Sequence, residues 1–84
     1  MSTTHELKCW PHFFDAVADG RKTFEVRFDD RGFEVGDTLR LREYDVPHGY
    51  TGREVSRAVT FVLYGGAWGV QSGHVVLALA EVQR

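Results

Sequence analysis

The sequence predicts an α+β fold: a small, closed or nearly closed, mixed β-barrel of five strands, with one short helix after the first strand. Three observations predict it. Apolar and polar residues alternate with a period of two over residues 4–9, 23–28, 38–44 and 54–64, and residues 74–82 form a further extended run that is apolar on both faces. One stretch, from about Pro11 to Asp19, has helical spacing instead. Clusters of glycine, proline and aspartate separate these segments. So many strands with one helix leave an end of the sheet to be covered, which suits a small barrel.

A chain of 84 residues makes one small domain, residues 1–84, with a modest core. A content of 43% hydrophobic and 26% charged residues is that of a globular chain. Cys9 is the single cysteine, so no intrachain disulfide can form, which fits a reducing compartment. Cys9 and the four scattered histidines show no metal-ligand spacing, and no cofactor is implied. No apolar run is long enough for a transmembrane helix. Residues 1–6 lack the basic and apolar regions of a signal peptide, so the expected location is cytoplasmic. The net charge of -2 argues against a sequence-blind grip on duplex DNA but leaves room for a local basic groove. Eight of the ten basic residues are arginine, leaving Lys8 and Lys22 as the lysines. Coding bias accounts for this, or a compact amine is needed at those two places.

In the first strand Leu7 and Cys9 alternate inward, with His5 at the rim and Lys8 on the polar face or over the barrel mouth. Pro11 suits the first turn of a helix, because the N–H it lacks would be unpaired there. Phe13, Phe14, Val17 and Ala18 form the helix's apolar face; Trp10 either staples its start or stacks on a ring. Asp29 to Phe33 reads as a charged turn in which Arg31 pairs with an aspartate. In the next strand Leu39 and Leu41 face in, and Glu43 is phased with them near the mouth. Asp45 to Arg53 is the longest irregular stretch; it carries Tyr50 and Arg53 on a loop, where binding residues often lie. In the long strand Val55, Val59, Phe61 and Leu63 share a face that Arg57 interrupts. Trp68, in a glycine-rich turn, is expected to cap the core or to line a pocket. The last strand is apolar on both faces, as a central or closing strand is.

The candidate site is Gly20-Arg21-Lys22-Thr23-Phe24-Glu25-Val26-Arg27. Gly20 ends the helix and a strand begins at once. Phe24 and Val26 mark its buried face, so Glu25 and Arg27 are expected to face water or a groove. Lys22, formally on the apolar side, could reach Glu25 over the rim or through a bulge.

Gly20-x-Lys22-x-x-Glu25-x-Arg27 resembles the G-x-K-x-x-E-x-R motif of the ASCH family, in the PUA-like superfamily. His5-Glu6-Leu7-Lys8, Trp10-Pro11, Asp30-Arg31-Gly32-Phe33, Val35-Gly36-Asp37, Arg42-Glu43-Tyr44-Asp45 and Tyr50-Thr51-Gly52-Arg53 resemble a compact bacterial and phage branch of that family. The resemblance implies a PUA-like barrel with the helix over one opening, and RNA binding in a cleft beside the motif. Some small ASCH-like proteins remove acyl groups from modified cytidine with the motif lysine, a threonine and a glutamate. Lys22 matches that lysine; Glu25 stands where those hydrolases have threonine, and Thr23 is in a different register.

Three functions follow as expectations. The first is a module for single-stranded RNA or a nucleotide: Lys22 and Arg27 hold phosphate or sugar oxygens, Glu25 orients Arg27 or accepts from a base, and Lys8, Tyr44, Tyr50 and Arg53 complete the rim. The second is an amidohydrolase for an acylated nucleoside, with Lys22 activated by an apolar wall and Glu25 or Glu43 moving protons. The third is a structural salt-bridge ladder in a protein-interaction module. The sequence leaves the oligomeric state open.

Overall fold

The computed structural model describes residues 2–82; Met1, the first residue of the amino-terminal stretch, lies outside them. The elements are β1 (Thr4–Cys9), α1 (Pro11–Ala18), β2 (Phe24–Phe28), β3 (Thr38–Asp45), β4 (Gly49–Tyr64) and β5 (His74–Glu81). They build one mixed five-stranded sheet in the order β1-β3-β4-β5-β2. β1 runs parallel to β3, and every other pair is antiparallel. The sheet curls into a half-barrel around Leu7, Leu39, Leu41, Val59, Val75 and Leu77. Phe33, in the turn before β3, seals this core from one side at 1% exposure.

α1 starts at Pro11, after an extended Trp10, and buries Phe14 and Val17 as it packs against β3. Each such burial contributes about 1.5–3 kcal/mol, which a helix of this length needs in order to persist. Gly20, at φ +89°, reverses the chain after the helix in a conformation that a side chain disfavours. Arg57, which interrupts the apolar face of β4, donates to the Val17 carbonyl at the end of α1 at 3.1 Å.

Five expectations are corrected. First, the sheet is open: among the described residues β1 and β2 are edges and share no ladder. Second, β4 begins at Gly49, so most of the stretch read as irregular is strand. Tyr44 pairs with Tyr50 and Asp45 with Gly49, leaving a short reversal around Pro47. The proline and two glycines of this stretch, Pro47, Gly49 and Gly52, sit at the hairpin's tip and at its bulged end. Third, the faces of β2 are reversed. Glu25 pairs with Leu77 and Arg27 with Val75, both inward residues of β5, and directly paired residues share a face. Phe24 and Val26 therefore point outward, 46% and 53% exposed. The acid can face in because two cations meet it there. Fourth, the register of β4 slips between Val59 and Phe61, and the extra residue turns Phe61 outward, 60% exposed. Val62 packs on the core instead. Trp68 does not cap the core either; it stands 82% exposed at the tip of its turn.

Candidate functional site

The site grows from the turn between α1 and β2. The Lys22 N–H donates to the Ala16 carbonyl at 2.9 Å, which lays this turn back along the helix. Lys22 then precedes β2, so no bulge is needed for its amine to reach inward. Its Nζ donates to Glu25 Oε1 at 2.6 Å and to the Phe24 carbonyl at 2.7 Å. Arg27, two residues along the same face, donates from Nε to Glu25 Oε2 at 3.0 Å. Each carboxylate oxygen thus receives one charged donor. Glu25 is 4% exposed. Charge-assisted bonds of this kind are about twice as strong as neutral ones, and they are what allows a carboxylate to be buried.

Arg27 also spans the open side of the half-barrel, donating from Nη2 to the Lys8 carbonyl on β1 at 2.7 Å. Arg31 makes a second bridge, from Nη1 to the Glu6 carbonyl at 3.0 Å. Guanidinium groups thus serve carbonyls on the outer edge of β1, where no sixth strand pairs.

A cavity of about 360 Å³ opens above the triad. Lys22, Glu25 and Arg27 form its polar side, and Trp10, Phe13 and Phe24 supply aromatic walls. The Lys22 amine lies 4.8 Å from the Phe24 ring centre and 5.4 Å from that of Phe13. Cys9 lies at the cavity's base. Burial, reinforced by the negative charge of Glu25, pushes its thiol up to about 11. It is therefore a neutral packing group at physiological pH, not a nucleophile.

A second cavity, of about 290 Å³, lies beside the first and shares Lys8 and Arg27 with it. Arg31, Arg42, Tyr50 and Glu6 complete its polar lining. The Lys8 ammonium sits 4.3 Å over the Tyr44 ring, Tyr44 meets Tyr50 and Trp10 edge-on, and the Arg42 guanidinium stacks 4.0 Å from the Tyr50 ring.

Of the residues expected at the site, Lys22, Glu25, Arg27 and Lys8 share the first cavity, and Tyr50 lines the second. Tyr44 supports Lys8 from outside both linings. Glu43 and Arg53 are engaged elsewhere. Glu43 is 5% exposed and accepts from the Thr51 hydroxyl at 2.7 Å. Arg53 reaches Glu43 at 3.4 Å and Asp15 on α1 at 3.1 Å, which ties the helix to β4. Sequence reasoning missed Phe13, Phe24, Arg31 and Arg42. Trp10 and Phe13, three residues apart at the start of a helix, are one signal for an aromatic wall.

Residues 4–79 match the family described as Domain of unknown function (DUF3850). The chain belongs to this family. It is also 41% identical, over 68 residues, to an uncharacterised 12.9 kDa protein in the GpA 3′ region of Escherichia phage P2. That alignment covers 81% of this chain but 62% of the phage protein, so the chain spans about three fifths of its relative's length. The DUF3850 match runs from the start of β1 into β5 and so takes in both edges of the seam and both cavities. No helix among the described residues is long and apolar enough to cross a membrane. Among the same residues, no cluster of three or more His, Cys, Asp or Glu side chains could hold a metal ion.

Proposed function

We propose that this DUF3850 domain is an ASCH-like, PUA-like module that binds single-stranded RNA or a nucleotide in the cleft beside Lys22, Glu25 and Arg27. One observation carries the reading. A cavity of about 360 Å³ places three aromatic side chains against three cations and an inward carboxylate. Its volume is at the small end of ligand sites, about 300–1,000 Å³. Aromatic walls suit the face of a base, the carboxylate suits an exocyclic amino group, and the cations suit sugar and phosphate oxygens. A net charge of -2 fits a local grip on an unpaired nucleotide better than a broad one on a duplex.

The triad is mutually paired, as a purely structural ladder would be, but it adjoins a cleft. The hydrolase reading has less support. Attack or proton abstraction needs a lysine lone pair, and the Lys22 amine donates to a carboxylate and a carbonyl.

Calorimetric titration with a cytidine pentanucleotide, whose bases carry the exocyclic amino group, and with the four ribonucleoside monophosphates tests the reading. Saturable binding in the micromolar range or weaker is expected, falling as salt rises and lost in the Lys22→Ala, Arg27→Ala double variant. Binding that ignores both salt and those two substitutions would contradict it.

A further inference from the structure

The two cavities divide by chemistry. The first has aromatic walls; the second is lined by Lys8, Arg27, Arg31 and Arg42, with Glu6 as its one carboxylate. Resting on the reading that a base occupies the first, we propose that the second is a phosphate subsite. The ligand is then a phosphorylated nucleoside, its base between Trp10, Phe13 and Phe24 and its phosphate against Arg31 and Arg42.

Connectivity is the first support. Lys8 and Arg27 line both cavities, so the two are neighbours and one ligand can contact both across the Arg27 bridge to the Lys8 carbonyl. A nucleotide has the same layout, with a flat apolar group and a polyanion joined through one sugar. Donor supply is the second. Arg27 uses Nε and Nη2 within the protein, which leaves Nη1 for a ligand. Arg31 uses Nη1 on the Glu6 carbonyl, and its Nε lies 3.6 Å from Asp30. Arg42 meets Glu6 at 3.5 Å, the limit of a hydrogen bond, while Glu6 makes a shorter contact of 2.9 Å to Arg40. A phosphate can take Arg42 while Glu6 keeps Arg40. Among the described residues Lys8 makes no ion pair; its amine is held over Tyr44.

Charge distribution is the third support. The two cavities gather five of the ten basic residues against two of the twelve acidic ones. The rest of this acidic chain carries the excess negative charge, so an anion is steered to this one place. Planar guanidinium forks match phosphate oxygens in pairs, which suits Arg31 and Arg42 to the task.

The test compares affinities for the four ribonucleosides, their 3′- and 5′-monophosphates, dinucleoside monophosphates and inorganic phosphate. The phosphate is expected to tighten binding about tenfold or more at low salt. That advantage should shrink between 50 and 500 mM salt in the wild type, a readout independent of any substitution. In the Arg31→Gln, Arg42→Gln double variant, with an unchanged amide spectrum, the advantage of the nucleotide over the nucleoside should fall several-fold, Lys8 and Arg27 being left. Arg42→Gln alone, which leaves the Arg31 bridge in place, should lower it part-way. A larger gain with dinucleoside monophosphates than with either mononucleotide assigns the phosphate to a strand; an equal gain assigns it to free nucleotides. Nucleosides and nucleotides that bind equally in the wild type, or an advantage undiminished in the double variant, would overturn the subsite and leave the base cavity standing. Inorganic phosphate bound at Arg31 and Arg42 with no nucleoside bound anywhere would keep the subsite and overturn the base reading.

Discussion

Arg27 on β2 donates to the Lys8 carbonyl on β1 across 2.7 Å, while its Nε holds Glu25. One guanidinium thus does for the seam what a backbone ladder would do in a closed barrel. A lysine has a single point of charge and cannot serve both partners with a planar fork. Arg27→Lys is therefore expected to lower stability by about 1.5–3 kcal/mol, read as a fall in the urea midpoint. An unchanged midpoint would mean that the seam holds without the bridge.

Glu25 is the buried member of the triad, and its partners keep side-chain exposures of 15% for Lys22 and 26% for Arg27. Removing it leaves two cations facing one another beside an apolar cavity. Breaking a buried pair in this way costs about 3–5 kcal/mol, and the partial exposure of both cations places Glu25→Ala at about 3. Glu25→Gln keeps an acceptor and should cost less. Denaturation of the two variants in parallel checks the order.

The same half-barrel carries another buried acid, Asp37, outside both cavities. Asp37 Oδ2 lies 2.9 Å from His5 Nε2 and also accepts from the Glu34 N–H, while Oδ1 accepts from the Thr3 N–H. Burial pushes the Asp37 carboxyl up, but these hydrogen bonds and the nearby histidine outweigh it and hold the group below its ordinary range. A carboxyl lowered on folding contributes stability that is present above its unfolded value, about 4, and is lost as pH falls through the folded value. Wild-type stability should therefore drop below about pH 4 more steeply than that of Asp37→Asn, while at neutral pH the variant should be the less stable. Urea denaturation at intervals from pH 7 to pH 2 reads both effects.

Cys9 offers a check on the cavity's base. With its thiol pushed up to about 11 and its side chain 3% exposed, it should react with a thiol reagent at pH 8 far more slowly than the same protein in urea. Because burial is the leading cause and Glu25 the second, Glu25→Gln should speed this reaction modestly. Equal rates for native and unfolded protein would mean that the base of the cavity opens freely.

The order strand, helix, four strands was legible in the alternation, as was the inward phase of Leu39, Leu41 and Glu43, because β3 is half buried over its whole length. β2 was not, because its phase comes from pairing with β5 and from a carboxylate that Lys22 and Arg27 neutralise, and neither is visible in apolar periodicity. Phe61 was misplaced for a related reason: one bulged residue in β4 reverses every face beyond it. At the site, the contact between Lys22 and Glu25 was within reach of the motif's spacing. The bridges from Arg27 and Arg31 to β1 join residues 19 and 25 apart, and no local pattern signals them.

Under the proposed function, the seam between β1 and β2 is a ligand site built on aromatic walls and paired cations. Amide and side-chain NMR of the labelled protein, titrated with cytidine pentanucleotide, shows whether a ligand seats there. Saturable shifts concentrated at Lys8, Trp10, Phe13, Lys22 and Arg27 are expected, with Arg53 and Glu43 little moved. No shifts at the seam, or shifts confined to the outer face around Phe28 and Phe61, would contradict it.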